Sequence, residues 1–132
     1  MGGGGKVKSA KTNPTFLLVD DVSVNLLVAK KVLLHLLPLC NVIISSGVKE
    51  ALGKFDENSI DLVFMDIQMP EIDGIEMAKM IRAISKVAIV ALTAGVLGKE
   101  REACQNVGMV DFIPKPITIE NMRSVPLSLR FL

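Results

Sequence analysis

Five short apolar segments alternate along the chain with stretches of helical periodicity, and this alternation limits the possible folds more than any other feature. The apolar segments cover residues 15–19, 41–44, 62–65, 87–92 and 111–113. Several of them are apolar at nearly every position, which is typical of strands buried on both faces of a parallel sheet. The helical stretches cover about residues 23–37, 47–57, 74–85 and 99–107, and a last one begins near Thr118. The sequence therefore predicts a (βα)5 repeat.

Strands that alternate with helices predict an α/β fold, with right-handed crossovers and helices on both faces of a parallel sheet. For five strands, the doubly wound, flavodoxin-like strand order 2-1-3-4-5 is favoured. We expect Ser23 to cap the first helix and Gly108 to end the fourth. Because Pro126 lies inside the last helical stretch, we expect that helix to end early or to kink.

The length of 132 residues indicates a single domain. We expect residues 1–13 to be a flexible, glycine-rich leader and residues 14–132 to form the domain. No apolar run approaches the roughly 18 to 20 residues that cross a bilayer, so membrane contact is not expected. The net charge of +1 and the absence of Trp and Tyr argue against direct contact with nucleic acid. Cys40 and Cys104 lack metal-ligand spacing and are expected to be buried thiols.

Candidate site residues follow four of the five predicted strands. Asp20 and Asp21 follow the first strand, Asp66 the third, Thr93 the fourth and Lys115 the fifth. Each residue alone has a plain structural explanation, such as a turn, a helix cap or a solvated charge. Because the carboxyl ends of parallel strands lie at one edge of a sheet, these side chains should converge there. Their joint placement indicates a functional site.

Three carboxylates at one edge repel one another, so such a site favours a hard divalent cation, Mg2+ or alternatively Mn2+. We expect Asp21 and Asp66 to bind the ion directly and Asp20 to bind it through water. The backbone carbonyl of Gln68 can also face the metal. The carboxylate of Asp66 can act as a nucleophile on phosphorus and form an aspartyl-phosphate. Lys115 and the metal would then stabilise the negative charge of the phosphoryl oxygens.

Four segments, FLLVDD, LVFMDIQMPEIDG, ALTAG and DFIPKPIT, together resemble the receiver domain of two-component response regulators over about residues 15–130. The segment around Asp66, with Asn25 shortly after the acidic pair, is most similar to receivers of hybrid histidine kinases and phosphorelays. The arrangement also resembles that of stand-alone plant-type receivers. The resemblance implies that Asp66 is the phosphoacceptor and that Lys115 pairs with the phosphoryl oxygens. It also implies that Thr93 and Phe112 are switch residues.

Two functions remain open at this point. The first is a phosphoacceptor that takes a phosphoryl group from a histidine phosphotransfer protein or histidine kinase, switches conformation, and catalyses its own phosphorylation and dephosphorylation. The second is a stand-alone phosphatase or sink that dephosphorylates a histidine phosphotransfer protein, because no output domain is recognised after the receiver. A fragment of a hybrid kinase is a third explanation. We expect a cytoplasmic location, or a nuclear one in a eukaryote.

Overall fold

The computed structural model describes residues 13–57, 60–67, 74–93, 98–115 and 117–128. Five strands alternate with five helices along the chain: β1 (Thr15–Val19), α1 (Ser23–Leu36), β2 (Asn41–Ser45), α2 (Val48–Glu57), β3 (Leu62–Asp66), α3 (Gly74–Arg82), β4 (Ala88–Thr93), α4 (Gly98–Asn106), β5 (Asp111–Pro114) and α5 (Ile119–Ser128). All strand pairs are parallel, and the strand order is β2-β1-β3-β4-β5. The predicted doubly wound α/β fold is confirmed.

The sheet separates two hydrophobic clusters. Successive residues of a strand point to opposite faces, so in β1 Phe16 and Leu18 join one cluster while Leu17 and Val19 join the other. The first cluster is covered by α1 and α5, and the second by α2, α3 and α4. The helices contribute Leu26, Ala29, Leu33 and Met122 to the first cluster, and Ala51, Met77, Ala78, Ile81 and Cys104 to the second. This covering of both faces explains why the strands read as nearly continuous apolar runs.

The start of α1 differs from the prediction made for Ser23. The N-cap residue is Val22, and no side chain caps the helix there, so the assignment of Ser23 as the cap was wrong. The backbone N–H of Val22 instead donates to Oδ1 of Asp20, at 2.9 Å. The carboxylate at the end of β1 therefore binds the backbone just before the helix, in the manner of an Asx turn, and no hydroxyl cap is used.

The ends of the last two helices test two further predictions. Gly108 follows α4 with a φ of 85°, the left-handed conformation that commonly ends a helix, as predicted. The helix α5 extends to Ser128, so the expected early end at Pro126 was wrong, while the alternative of a kink there stays a prediction. Proline removes one backbone hydrogen bond, and near the end of a helix few later turns depend on that bond. At the other end of α5, the Thr118 hydroxyl accepts a hydrogen bond from the backbone N–H of Asn121, at 3.1 Å.

The predicted leader falls almost entirely on residues outside the described ranges, so its flexibility stays a prediction. Pro14, where the domain is predicted to begin, is buried. Its carbonyl oxygen accepts a hydrogen bond from the backbone N–H of Asn41, at 2.8 Å. Cys40 and Cys104 are buried thiols, as expected, and burial raises the pKa of the Cys40 thiol.

The first two turns of α1 expose apolar side chains. Val24 is 64% exposed and Leu27 is 54% exposed, although both side chains are apolar. Apolar side chains gathered on an exposed face commonly mark an interaction site, so this outer face is a candidate contact surface. Of the helices that the structure describes, none has both the length and the apolar character needed to cross a membrane.

Candidate functional site

The carboxyl ends of four strands bring the predicted site residues to one edge of the sheet. Asp20 directly follows β1, Asp66 is the last residue of β3, and Thr93 is the last residue of β4. These three polar residues are almost completely buried, with exposures of 1%, 2% and 1%. Lys115 directly follows β5, and Asp21 lies exposed beside Asp20. The convergence predicted from the strand ends is therefore observed.

Lys115 lies between two buried carboxylates. Its Nζ is 3.1 Å from Oδ2 of Asp20 and 3.3 Å from Oδ2 of Asp66, and its side chain is 20% exposed. Its backbone N–H also donates to the carbonyl oxygen of Thr93, at 2.8 Å, which ties the lysine to the end of β4. Two neighbouring carboxylates repel each other in a poorly solvated site, and an ammonium group between them offsets that repulsion. Lys115 is thus the shared counter-charge of the site.

The carboxylate of Asp20 is bound at both of its oxygens. Oδ1 accepts the backbone N–H of Val22, while Oδ2 accepts Nδ2 of Asn25, at 3.2 Å, in addition to Lys115. The amide of Asn25 presents its nitrogen because a carboxylate only accepts hydrogen bonds. The sequence pointed to Asn25 only as part of a resemblance and assigned it no contact. The available signal was its position in the helix that directly follows the acidic pair.

The three carboxylates fit the divalent cation predicted from the sequence. Oxygen atoms of Asp20, Asp21 and Asp66 all lie within 4.8 Å of one another. Such oxygen donors are the ligands that Mg2+ prefers, and the exposed side of Asp21 leaves room for the waters that this ion retains. Asp20 accepts protein hydrogen bonds at both oxygens. Gln68 lies outside the described residues.

Gly74, the first residue of α3, packs directly against the backbone around Asp66. A Cβ atom at this position would collide with the carbonyl oxygen of Asp66 and would lie 2.8 Å from Cα of Ile67. The backbone N–H of Gly74 donates to the carbonyl oxygen of Ile67, at 3.3 Å. Only glycine allows the helix to begin this close to the chain leaving Asp66. The sequence marked Gly74 as a helix start but did not indicate this contact.

Phe112 and Thr93 belong to the same face of the sheet. The Cα of Phe112 pairs with that of Ala91, two residues before Thr93, so alternation places the side chains of Phe112 and Thr93 on one face. Phe112 is partly buried, and the guanidinium carbon of Arg101 lies 4.8 Å from its ring centroid. This is the geometry of a cation–π contact. The sequence did not indicate Arg101, because the contact joins α4 to β5 and follows no local spacing.

Comparison with known proteins identifies the family. The family model "Response regulator receiver domain" matches residues 16–125. The chain belongs to this family. A receiver domain of two-component signalling, predicted from four strand-end segments, is therefore confirmed.

Relatives include response regulators and histidine kinases of several lineages, by their printed names. "Stress response regulator protein 1" of Debaryomyces hansenii is 36% identical over 110 residues, which cover 80% of this chain and 46% of that protein. "Histidine kinase 5" of Arabidopsis thaliana is 31% identical over 144 residues, which cover 85% of this chain and 15% of that protein. The receiver thus spans less than half of the length of these curated relatives.

The solved structures show the same fold. The chemotaxis protein CheY4 of Vibrio cholerae superposes with a TM-score of 0.82 at 22% identity, over 89% of this receiver and 98% of that chain. At this level of identity the likeness concerns the fold alone. It supports the five-stranded parallel architecture and the placement of strand ends at one edge.

Proposed function

We propose that this receiver takes a phosphoryl group onto Asp66 from a phosphohistidine, with Mg2+ or Mn2+ bound, and that it changes conformation in response. The donor would be a histidine phosphotransfer protein or a histidine kinase, in the cytoplasm or, in a eukaryote, the nucleus. The observation that carries the proposal is the position of Lys115, whose Nζ lies within 3.3 Å of both Asp20 and Asp66. The nucleophilic carboxylate of Asp66 thus lies beside the ammonium group of Lys115, which can neutralise the charge of the aspartyl-phosphate that forms.

In the transfer, a carboxylate oxygen of Asp66 attacks the phosphorus atom of the phosphohistidine. A P–O bond forms while the P–N bond breaks, and the imidazole nitrogen keeps the electron pair of the broken bond and takes up a proton. The ammonium of Lys115 turns from the Asp66 carboxylate to the phosphoryl oxygens, where the negative charge now lies. Hydrolysis of the resulting aspartyl-phosphate by water would return the receiver to its starting state.

The cation would be held by Asp21 and Asp66 directly, by Asp20 through water, and by the backbone carbonyl of Gln68. When bound, it supplies positive charge at the phosphoryl oxygens. The support is the donor set itself, since three carboxylates offer oxygens within 4.8 Å of one another. Among the residues that the structure describes, Lys115 is the cationic side chain in contact with Asp20 and Asp66.

Thr93 and Phe112 are proposed to couple phosphorylation to a change of shape. The Thr93 side chain is buried at the same strand edge as Asp66, where its hydroxyl can donate to a phosphoryl oxygen. A shift of Thr93 would open space on the sheet face that it shares with Phe112, and the phenyl ring would turn inward. Arg101 would then lose its contact with that ring, which would alter the surface between α4 and β5.

The outer face of α1 suits a protein donor. Three residues of this face form an apolar patch together with Val22, just before the helix, and Ile44 of β2. The patch consists of Val22, Val24, Leu27, Val28 and Ile44, and each of these residues is between 39% and 64% exposed. The patch begins at Val22, whose backbone N–H binds Asp20, so it borders the site directly. A protein that brings its histidine to Asp66 must cover neighbouring surface, and apolar patches of this kind commonly form the core of such interfaces. We therefore propose that the donor docks on this patch.

Phosphoryl labelling tests the function at one residue. The protein is incubated with Mg2+ and acetyl phosphate, and its mass is followed by intact-protein mass spectrometry. Wild type should gain one phosphoryl group, and Asp66→Asn should gain none because the nucleophilic oxygen is replaced by an amide. Beryllofluoride, followed by amide NMR, should shift only the wild-type spectrum. Equal responses of the two proteins would show that Asp66 is not the acceptor.

The same protein can be tested as a phosphatase or sink, which would use the same residues with faster hydrolysis. With excess phosphorylated histidine phosphotransfer protein, a switch takes up one phosphoryl group per receiver and then slows. A sink releases inorganic phosphate over many turnovers. Counting phosphate released per receiver separates the two behaviours.

A further inference from the structure

Asn25 contacts the acidic site from the first turn of α1. Its Nδ2 donates to Oδ2 of Asp20, at 3.2 Å, and the bond is partly buried. The accepting carboxylate is 1% exposed, so water contributes little to holding it in place. The next residue, Leu26, is buried in the core, which anchors this turn of the helix against the sheet. Asn25 therefore reaches the site from a rigid support.

The other side-chain partner of Asp20 is Lys115, which shares the same oxygen atom at 3.1 Å. The two donors differ in what else they bind. Lys115 also contacts Asp66, at 3.3 Å. Its long flexible side chain allows the ammonium group to move from the Asp66 carboxylate to the phosphoryl oxygens. The amide of Asn25 is short, neutral and fixed to α1. During phosphoryl transfer Lys115 turns to the phosphoryl oxygens, and its bond to Asp20 weakens while that of Asn25 stays.

We propose that Asn25 is a positioning residue that holds the Asp20 carboxylate for the divalent cation, independently of Lys115. The inference rests on the proposed function, since the site must bind a cation and accept a phosphoryl group. A neutral amide suits this task because it donates a hydrogen bond without lowering the negative charge that attracts the cation. A lysine or arginine at this position would compete with both the cation and Lys115.

Replacing the amide tests the proposal. Leucine has a similar shape and no hydrogen-bond donor, so Asn25→Leu removes the amide hydrogen bond to Oδ2 of Asp20 and keeps the contact of that oxygen with Lys115. Loss of the hydrogen-bond partner of a direct metal ligand typically weakens metal binding about 10-fold or more. Because Asp20 is proposed to hold the ion through water, we expect the Mg2+ dissociation constant to rise by no more than that factor. Mg2+ binding is measured without any phosphodonor, by amide NMR titration. Labelling of Asn25→Leu by acetyl phosphate should then require a higher Mg2+ concentration than labelling of wild type, by the same factor as the dissociation constant.

Ser23→Ala is the matched control, since Ser23 lies exposed in the same helical turn and its substitution should leave Mg2+ binding unchanged. Asn25→Ala serves as a second variant in case the leucine side chain disturbs folding. Urea unfolding without Mg2+ measures the stability of each variant. If both folded Asn25 variants bind Mg2+ as tightly as wild type, the inference is overturned, even if they are less stable. If wild type itself fails to label at Asp66, the proposed function fails instead.

Discussion

The two ends of the sheet each hold a cationic side chain with several oxygen partners, but the partners differ in kind. At the carboxyl end, Lys115 lies between the carboxylates of Asp20 and Asp66. At the amino end, Arg82 donates to the backbone carbonyl oxygens of Ser85 at 3.0 Å, Val87 at 2.8 Å and Gly108 at 3.5 Å.

The difference separates a site that can change its charge from one that cannot. The net charge around the carboxylates changes when a cation binds or a phosphoryl group is added, so the position of the Lys115 ammonium depends on the state of the site. Carbonyl oxygens are neutral in every state, so Arg82 fixes the ends of α3 and α4 relative to β4. A Cβ at Gly108 would lie 3.0 Å from Nε of Arg82, which shows how closely this end is packed. Chemistry is therefore expected at one end, and stability at the other.

Among the variants that keep the acceptor carboxylate of Asp66, Lys115→Ala should have the largest effect on phosphoryl transfer. Removal of a positive group that stabilises transferring phosphate typically costs about 100-fold or more in rate, and we expect a loss of this size in labelling by acetyl phosphate. Mg2+ should still bind, because Asp20, Asp21 and Asp66 remain and have lost a competing cation. Labelling kinetics and NMR titration measure the two quantities. Lys79→Ala is the control, because Lys79 is an exposed lysine on α3. Loss of Mg2+ binding in Lys115→Ala would contradict the role of Lys115 as a partner of the phosphoryl oxygens.

An intermediate effect is expected from Leu27→Glu in the apolar patch of α1. A charge in the middle of an interface commonly weakens binding about 10-fold or more, so transfer from a phosphorylated histidine phosphotransfer protein should slow by that factor. Labelling by acetyl phosphate should not change, because this small donor needs no docking surface. Ile84→Glu is the matched control, since Ile84 is 61% exposed in the turn after α3, toward the amino end of the sheet. Equal slowing by both variants would reject the patch as the donor surface.

The smallest effect on transfer should come from Arg82→Met. Loss of its charged hydrogen bonds should lower the free energy of unfolding by about 2 to 3 kcal/mol, measured by urea denaturation. Labelling at a temperature where the variant is folded should stay at the wild-type rate. Arg123→Met, an exposed arginine on α5, should change the stability little. A large loss of labelling in folded Arg82→Met would show that the two ends are coupled, and the comparison would not hold.

Strand positions and strand-end residues could be predicted because they depend on local patterns. Each strand begins and ends within one residue of the apolar segment that indicates it, and the parallel order follows from the alternation of strands and helices. The local ends of helices were predicted less well. Ser23 was expected to cap α1, but the carboxylate of Asp20 binds the backbone there, and α5 continues past Pro126. Both errors arise because local propensity is weaker than the contacts that surround a helix end.

The sequence by itself determined the doubly wound fold and the group of residues that meet at its carboxyl edge, because strand periodicity and the parallel arrangement are encoded in short segments. Tertiary structure alone decided how those residues are bound. Lys115 lies between two carboxylates, Asn25 donates to Oδ2 of Asp20, and Gly74 packs against the chain leaving Asp66. These contacts join segments whose distance and orientation depend on how helices pack on the sheet. Packing is a property of the whole core, and no local pattern specifies it.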